Sequence, residues 1–372
     1  MHRFILVFLC LLSCQQFLFT QTDSDTTRHR VTLGGYVDAC YASRSTDDAG
    51  ALGSFLSAGP RDENFGLNVA QFSINYEGPR VRSEFTMHMG DIPESSWSPV
   101  YSQIQRANVG FRLAEKLWVD AGFFATHIGY ESIFPRAKYV SSTAYLSWNE
   151  PFYQSGVRAS YEANERWSFQ LWLLNGYNSF VDNNDAKSLG LSSTYSPNDR
   201  TSITYNNLFG NEGLEGDGRP KQFRAVNNLY WTQAWTDRFR TVINFTTASQ
   251  SNSELDDPGA AGLMVGAYLT ADYAIGDRWN LTARLETYDD PDGIISGRVA
   301  ATALAAPTGL RLSGLTTGVQ YRPAPSAYVR AETRFARQHD SVALFQSDGE
   351  RVDGRVELLL TCGVSFDWDH RW

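Results

Sequence analysis

The sequence predicts an all-β chain closed into a transmembrane antiparallel barrel. Three observations lead there: an apolar leader that takes the chain out of the cytoplasm, a turn that recurs along most of the length, and segments between the turns that alternate apolar and polar residues.

The leader comes first. Arg3 is followed by an apolar run from Phe4 to Leu12, then Ser13-Cys14-Gln15-Gln16 and a second short apolar stretch that ends at Thr20-Gln21. A basic start and an apolar run of this length read as a secretory signal, and the run is too short to span a bilayer, which takes ~20 apolar residues. Residues 1–20 are therefore expected to be a signal peptide and 21–30 a short periplasmic tail, with 31–372 a single barrel domain. Leu11-Leu12-Ser13-Cys14 loosely resembles a lipoprotein box, but apolar residues continue after Cys14. Both readings export the chain. No later segment reaches the length of a helical span, although the chain carries 10 Trp, 18 Tyr and 22 Phe. A barrel strand needs only every second residue apolar, so a membrane protein can be built without long apolar runs.

The recurring turn is seen in Tyr161-Glu-Ala-Asn-Glu-Arg-Trp167, Tyr195-Ser-Pro-Asn-Asp-Arg-Thr201, Trp235-Thr-Asp-Arg-Phe239, Tyr273-Ala-Ile-Gly-Asp-Arg-Trp279 and Tyr321-Arg-Pro-Ala-Pro-Ser-Ala327. Looser copies are Tyr76-Glu-Gly-Pro-Arg80 and Phe111-Arg-Leu-Ala-Glu-Lys-Leu-Trp118. Asn, Asp, Gly and Pro favour tight turns, and the flanking aromatics suit a membrane–water interface.

Between the turns lie sixteen alternating segments: 31–42, 65–77, 80–90, 101–113, 117–129, 152–162, 166–176, 187–196, 200–210, 220–233, 237–250, 260–275, 278–289, 309–322, 327–340 and 354–372. The last is the clearest. Val356, Leu358, Leu360, Cys362, Val364, Phe366 and Trp368 alternate with Arg355, Glu357, Thr361, Ser365 and Asp367, with Leu359 as the exception. Such a period of two marks a strand with one apolar and one polar face. Seven tight turns join the segments in pairs, and eight longer connections join them at the other end (43–64, 91–100, 130–151, 177–186, 211–219, 251–259, 290–308 and 341–353). Short turns on one rim and long loops on the other are the organisation of an outer-membrane barrel. Sixteen strands are expected, with fourteen or eighteen as alternatives. A soluble sandwich or propeller also alternates, but the polar face here carries many Arg and Glu, and a buried charge is costly unless paired.

The formal net charge of −9 comes without a basic patch, so nucleic acid is not an expected partner. Of four cysteines, Cys10 and Cys14 fall in the leader. Cys40 and Cys362 lie on the first and last strands, and the phasing turns Cys362 to lipid and Cys40 to the lumen, against a disulfide.

Several stretches carry a family likeness: Gly35-Tyr36-Val37-Asp38, Phe72-Ser-Ile-Asn-Tyr-Glu-Gly78, Gln105-Arg-Ala-Asn-Val-Gly110, Pro151-Phe-Tyr-Gln-Ser-Gly-Val-Arg158, Leu173-Leu-Asn-Gly176, Tyr205-Asn-Asn-Leu-Phe-Gly-Asn-Glu212 and, most specific, Leu117-Trp-Val-Asp-Ala-Gly-Phe-Phe-Ala-Thr-His-Ile-Gly-Tyr-Glu131. The chain resembles, over most of its length, the OmpL-like β-barrel porins of the Bacteroidota type. The resemblance implies an outer-membrane channel and supplies no solute. The leader departs from the usual pattern, since Leu18-Phe19-Thr20 lacks the small-residue pair of a cleavage site.

Catalytic signals are few. The six histidines (His2, His29, His88, His127, His339 and His370) form no His-x-x-x-His or Cys/His cluster. Gly34-Gly35 lacks the context of a phosphate loop. A Ser-His-Asp constellation is set by space and not by sequence order, so an outer-membrane phospholipase or protease stays open as a rival. It would need a His beside an exposed Ser at the outer rim. A plugged structural or adhesion barrel is a second rival.

On the pore reading, no enzyme activity, metal or cofactor is expected, and the polar face lines the lumen. Its charges are Arg82, Glu84, Arg106, Arg112, Asp120, Arg158, Arg224, Arg240, Asp272, Arg284, Glu286, Arg330, Glu332, Arg334, Arg355 and Glu357, ten arginines to six acids. Lumen charge tunes ion selectivity, so a weak preference for anionic solutes is expected. The alternative is that these arginines pair with acids on neighbouring strands and brace the wall. The third long loop, 130–151, is placed to fold inward as a constriction, with Glu131, Arg136, Lys138 and Glu150 as its charges. Acidic loop tips such as Glu254/Asp256/Asp257 could hold cations that bridge lipopolysaccharide, or be only solvated. Expected partners are outer-membrane lipid and lipopolysaccharide, small hydrophilic solutes, the barrel-assembly machinery through a last strand ending at Trp372, and further copies of the chain in a homotrimer.

Overall fold

Alternating side chains make each strand two-faced, and the strands seal on themselves into one antiparallel barrel. The computed structural model describes residues 29–47, 61–182, 184–213, 221–299, 307–339 and 343–372. The leader 1–20 and most of the tail 21–30 lie outside the described residues, as do parts of the loops 43–64, 177–186, 211–219, 290–308 and 341–353. The strands are β1 (Arg30–Arg44), β2 (Asn64–Glu77), β3 (Val81–Met89), β4 (Ile104–Ala114), β5 (Leu117–Ala125), β6 (Tyr153–Asn164), β7 (Trp167–Leu174), β8 (Ser188–Asn198), β9 (Thr201–Asn211), β10 (Phe223–Ala234), β11 (Phe239–Gln250), β12 (Gly262–Ile275), β13 (Trp279–Asp290), β14 (Leu310–Ala324), β15 (Ala327–Gln338), β16 (Phe345–Ser347), β17 (Glu350–Val352) and β18 (Gly354–Arg371). All but β16 and β17, which form a small hairpin in the last long loop, belong to the barrel. That leaves sixteen, each paired to its neighbours in sequence, and β1 closes the sheet against β18. Alternatives with fourteen or eighteen strands, or an open sandwich, are thereby excluded.

The faces follow the predicted phase. Val37, Phe72, Ile74, Phe85, Leu285, Leu358, Leu360 and Val364 are exposed on the outside, while Arg284, Arg330 and Arg334 are buried within. Near the short-turn rim the outer aromatics pair across strands, Trp167 with Tyr195 at 4.5 Å and Trp279 with Tyr321 at 4.7 Å between ring centroids. The turn between β12 and β13 runs through Gly276 at φ +64°, a left-handed conformation that glycine adopts without steric cost. At the barrel seam, His29 and Trp372 exchange two backbone hydrogen bonds of 2.9 and 3.0 Å.

Two boundaries differ from the expected ones for local reasons. The segment predicted as 117–129 leaves the sheet after Ala125, because the chain turns into the lumen through His127 and through Gly129 at φ +87°. The segment predicted to begin at 101 joins the sheet at Ile104, after a turn that puts Tyr101 at φ +60°. Two short helices were not predicted, α1 (Asp91–Ser96) and α2 (Tyr145–Asn149), and both lie in long loops.

Cys40 and Cys362 are both free, the first buried and the second exposed. Across the seam Cys362 stands opposite Ala39, and Cys40 opposite Thr361, so the cysteines sit on opposite faces of adjacent strands. Directly opposed residues of an antiparallel pair bring their Cβ atoms within about 4.5–5.5 Å, close to disulfide reach. An Ala39→Cys variant is therefore expected to form a seam disulfide with Cys362 under mild oxidation. After boiling without reductant it should migrate as a looped chain, while the wild type should not. Linear migration of the oxidised variant would contradict this register.

Candidate functional site in the barrel lumen

A sixteen-strand barrel is wider than its own inward side chains can fill. Here the connection between β5 and β6 enters that space. His127 fixes its root. Its ring stacks on Trp172 at 4.9 Å, Nε2 bonds the Asn207 carbonyl at 2.8 Å, and Nδ1 meets Gln154 Oε1 at 2.9 Å. Gly190 makes room, since a Cβ there would lie 2.6 Å from the imidazole.

From this root the loop 130–151 crosses to the far wall, where β13, β15 and β18 hold it. Arg284 donates to Glu131 at 2.8 Å, to the Ser142 carbonyl at 3.0 Å and to Ser142 Oγ at 3.1 Å. Arg330 donates to the Pro135 carbonyl at 2.8 Å, to Ser141 Oγ at 3.1 Å and to the Lys138 carbonyl. Glu332 accepts from the backbone N–H of Ser141 and Ser142, Glu286 from that of Tyr145 at 2.6 Å, and Thr361 shares a hydroxyl contact with Ser141 at 2.6 Å. Arg334 lies over the Tyr145 ring, 4.0 Å from its centroid. Lys138 is buried, and burial lowers its ammonium pKa to about 8. It donates to the Ser142 carbonyl and to Thr143 Oγ1.

Apolar side chains fill the space on both sides of the crossing. One cluster joins Tyr145 and Leu146 of the loop to Trp172, Met264, Tyr268, Tyr288, Leu312 and Phe345. The other joins Ile133 and Phe134 of the loop to Tyr36, Ile92, Trp97, Tyr153, Phe180 and Tyr328. The expected wide aqueous bore is thus narrowed by the loop and its packing.

The predicted wall charges divide into five groups. Arg284, Glu286, Arg330, Glu332, Arg334, Arg355 and Glu357 point inward but are buried. Of these, the Arg284, Glu286, Arg330, Glu332 and Arg334 side chains bond or stack on the loop 130–151, Arg355 lies over the Phe345 ring of the β16–β17 hairpin, and Glu357 pairs with Arg44 at 2.6 Å. Arg112 is at the short-turn rim and donates to the Glu115 carbonyl at 3.0 Å, bracing a turn instead of lining the bore. The third group keeps contact with solvent on the β3–β6 wall. Asp120, itself fully buried, is gripped by Arg82 at 2.6 Å and Arg158 at 3.0 Å, and Arg106 pairs with Glu84 at 2.7 Å. The Arg106, Arg158 and Glu84 side chains retain 22, 21 and 25% exposure. Trp118 backs Arg82, while Phe124 and Trp172 back Arg158. Below the loop, Arg240 stands opposite Asp272 and donates to Tyr139, and Arg136 lies over the Tyr36 ring. Arg224 is drawn to the Ile294 carbonyl near the loop rim.

Some lumen residues were not picked out in the sequence. Arg322 is half-buried at the end of β14, where Pro323 makes the local sequence read as a turn. Asp38, in the quoted Gly35-Tyr36-Val37-Asp38 stretch, is buried and accepts from Asn68 at 2.7 Å and from Tyr328. Its place in the alternation of β1 was the available signal.

One Ser-His pair does stand at the outer rim, Ser313 Oγ to His339 Nε2 at 2.8 Å. It is incomplete as a nucleophile. No carboxylate is paired with the second imidazole nitrogen among the described residues, and the neighbouring Asp289 is engaged by Arg311 at 3.0 Å. The strand N–H groups beside it run in the β13–β14 and β14–β15 ladders, away from the donor pair that acyl transfer needs. No group of three or more His, Cys, Asp or Glu suited to a metal occurs among the described residues.

A family model described as "Putative beta-barrel porin-2, OmpL-like" matches residues 30–366. No curated protein matches the chain. Among solved structures, the anion-selective porin of Comamonas acidovorans superimposes with a TM-score of 0.59 at 11% identity, over 91% of this chain and 100% of its own. OmpT of Vibrio cholerae gives 0.58 at 13%, over 93 and 99%. The channel DcaP of Acinetobacter baumannii gives 0.58 at 12%, also over 93 and 99%. At these identities the likeness is one of fold.

The Arg284 contacts lead to a stability prediction. Removing one member of a buried ion pair leaves the other charge uncompensated, at a cost of roughly 3–5 kcal/mol. Arg284→Ala should lower the unfolding free energy in lipid vesicles by that order. Arg311→Ala, which breaks an exposed pair, should cost under about 1 kcal/mol. Equal losses in urea titrations would refute the loop-anchoring role.

Proposed function

This chain belongs to the OmpL-like β-barrel porin family, and from that premise we propose that it passes small hydrophilic solutes across the outer membrane by passive diffusion, with a weak preference for anions. The observation that carries the preference is the charge balance where solvent still reaches the bore. Arg82, Arg106 and Arg158 face Glu84 and Asp120 on the β3–β6 wall. Arg240 stands opposite Asp272 lower down, with Arg322 close enough to act on the same carboxylate. Within a low-dielectric wall such an excess raises the local concentration of anions. The loop charges Glu131, Arg136, Lys138 and Glu150 act in this reading as the constriction.

The same reading assigns no chemical step to the protein, in keeping with the incomplete Ser-His pair. Residues 1–20 serve as the export signal. The apolar outer face meets lipid, the long-loop rim meets lipopolysaccharide, and the last strand, ending at Trp372, presents its outer aromatics to the assembly machinery. Three copies associate as a homotrimer, the form in which one V. cholerae OmpT structure is described.

Planar-bilayer recording under a salt gradient tests the proposal. Wild-type protein should give steady conductance with a reversal potential displaced toward the anion value. The double variant Arg106→Gln/Arg158→Gln should move that potential toward zero or beyond it. A barrel that inserts and carries no current retires the channel. Wild-type cation preference retires the arginine argument and leaves the channel standing.

A further inference from the structure

The two carboxylates at the ends of the loop 130–151 are provided for differently. Glu131 pairs with Arg284 at 2.8 Å and accepts the Ala144 N–H at 2.6 Å. Glu150 follows α2 as its C-cap and inserts between the loop and the wall of β10 and β11. There its Oε1 accepts from Thr246 Oγ1 at 2.7 Å, Asn244 Nδ2 at 3.1 Å and Asn228 Nδ2 at 3.4 Å. It is 4% exposed, and among the described residues no Lys or Arg pairs with it. The titratable groups around it are Tyr177 from the loop after β7, Tyr230 from β10, Tyr268 from β12 and, within its own loop, Glu131, with Arg224 of β10 on the Tyr177 ring, 4.9 Å from its centroid.

We propose that Glu150 is a proton-controlled latch. When protonated it seats the second half of the loop against β10 and β11, and when ionised it loosens that seam and widens the route through the barrel. This rests on the channel reading and adds its regulation. The chemistry favours it because three neutral donors solvate a carboxylate less well than water, and among the described residues no Lys or Arg pairs with it. Burial accordingly lifts this carboxyl from its ordinary range to about 7.

The sign follows from linkage. The seated state holds a proton that the loosened state releases. Seating is therefore strongest below the ordinary carboxyl range, weakens about tenfold per pH unit between that range and 7, and levels off above it. A Glu150→Gln variant keeps the size and the hydrogen-bonding oxygen without the charge, so its seating should not change with pH.

Conductance and intrinsic tryptophan fluorescence, measured on the full-length barrel from pH 4.5 to 8, form the test. Trp148 lies on α2 beside the latch and reports its movement without requiring current. Wild type should show conductance rising severalfold across this range and a matching fluorescence transition. Glu150→Gln should stay at the acid-level conductance and show no transition. The same pH profiles in both proteins would overturn the latch. A fluorescence transition lost in the variant, with no current from either protein at any pH, would uphold the latch and retire the channel.

Discussion

In hydrocarbon a backbone N–H or C=O has no water to turn to, so every strand must have a neighbour on both sides. That constraint shapes the whole chain. It requires β1 to meet β18, an even count when both described termini lie on the same rim, and an outer face that alternates with an inner one. The fold is thus set by closure, and the lumen is what closure leaves over. Sixteen strands enclose more room than their inward residues occupy, and the loop after β5 is drawn into it.

What holds the loop is electrostatic, but the outcome is close to that of a protein core. Arg284, Arg330 and Glu332 would face water in an empty barrel. Against the loop they exchange that water for backbone carbonyls, N–H groups and carboxylates, with the Arg284 guanidinium fully buried among at least four partners. Buried ion pairs contribute little net stability unless their hydrogen bonds are completed. Here they are completed by the backbone of an irregular segment, which needs those same partners for its own polar groups. The loop and the wall therefore satisfy each other, and the apolar clusters on either side close the remaining gaps.

Much of the fold could be read in the residues because barrel strands write a period of two directly into the sequence. In β18, Val356 to Trp368 alternate so regularly that the facing of Cys362 against Cys40 follows from counting. The signal is weaker where the chain leaves the sheet. Thr126 to Gly129 continue the pattern on paper, yet His127 has specific partners 27 and 80 residues away that outcompete strand pairing. The candidate site was legible as a set of inward charges but not as a division of labour. Arg106 and Arg284 look alike in sequence. One keeps solvent and the other is covered, and the difference lies in where a loop from another part of the chain comes to rest. Side chains that touch only through such a loop leave no periodic trace.

The distances along the chain between the loop and its anchors have a consequence for biogenesis. Ser142 meets Arg284 across 142 residues, and Ser141 meets Thr361 across 220. Contacts that remote carry a large loop-closure entropy and form late. While β1 to β12 are being laid down, the inward segment lacks its ionic and hydrogen-bonding anchors on β13, β15 and β18. Anchoring of the constriction loop is thus a finishing step, available only once β13, β15 and β18 are in place. A chain stalled before that stage would keep an open sheet and an unanchored loop, so rapid completion or removal of partial barrels would protect the cell.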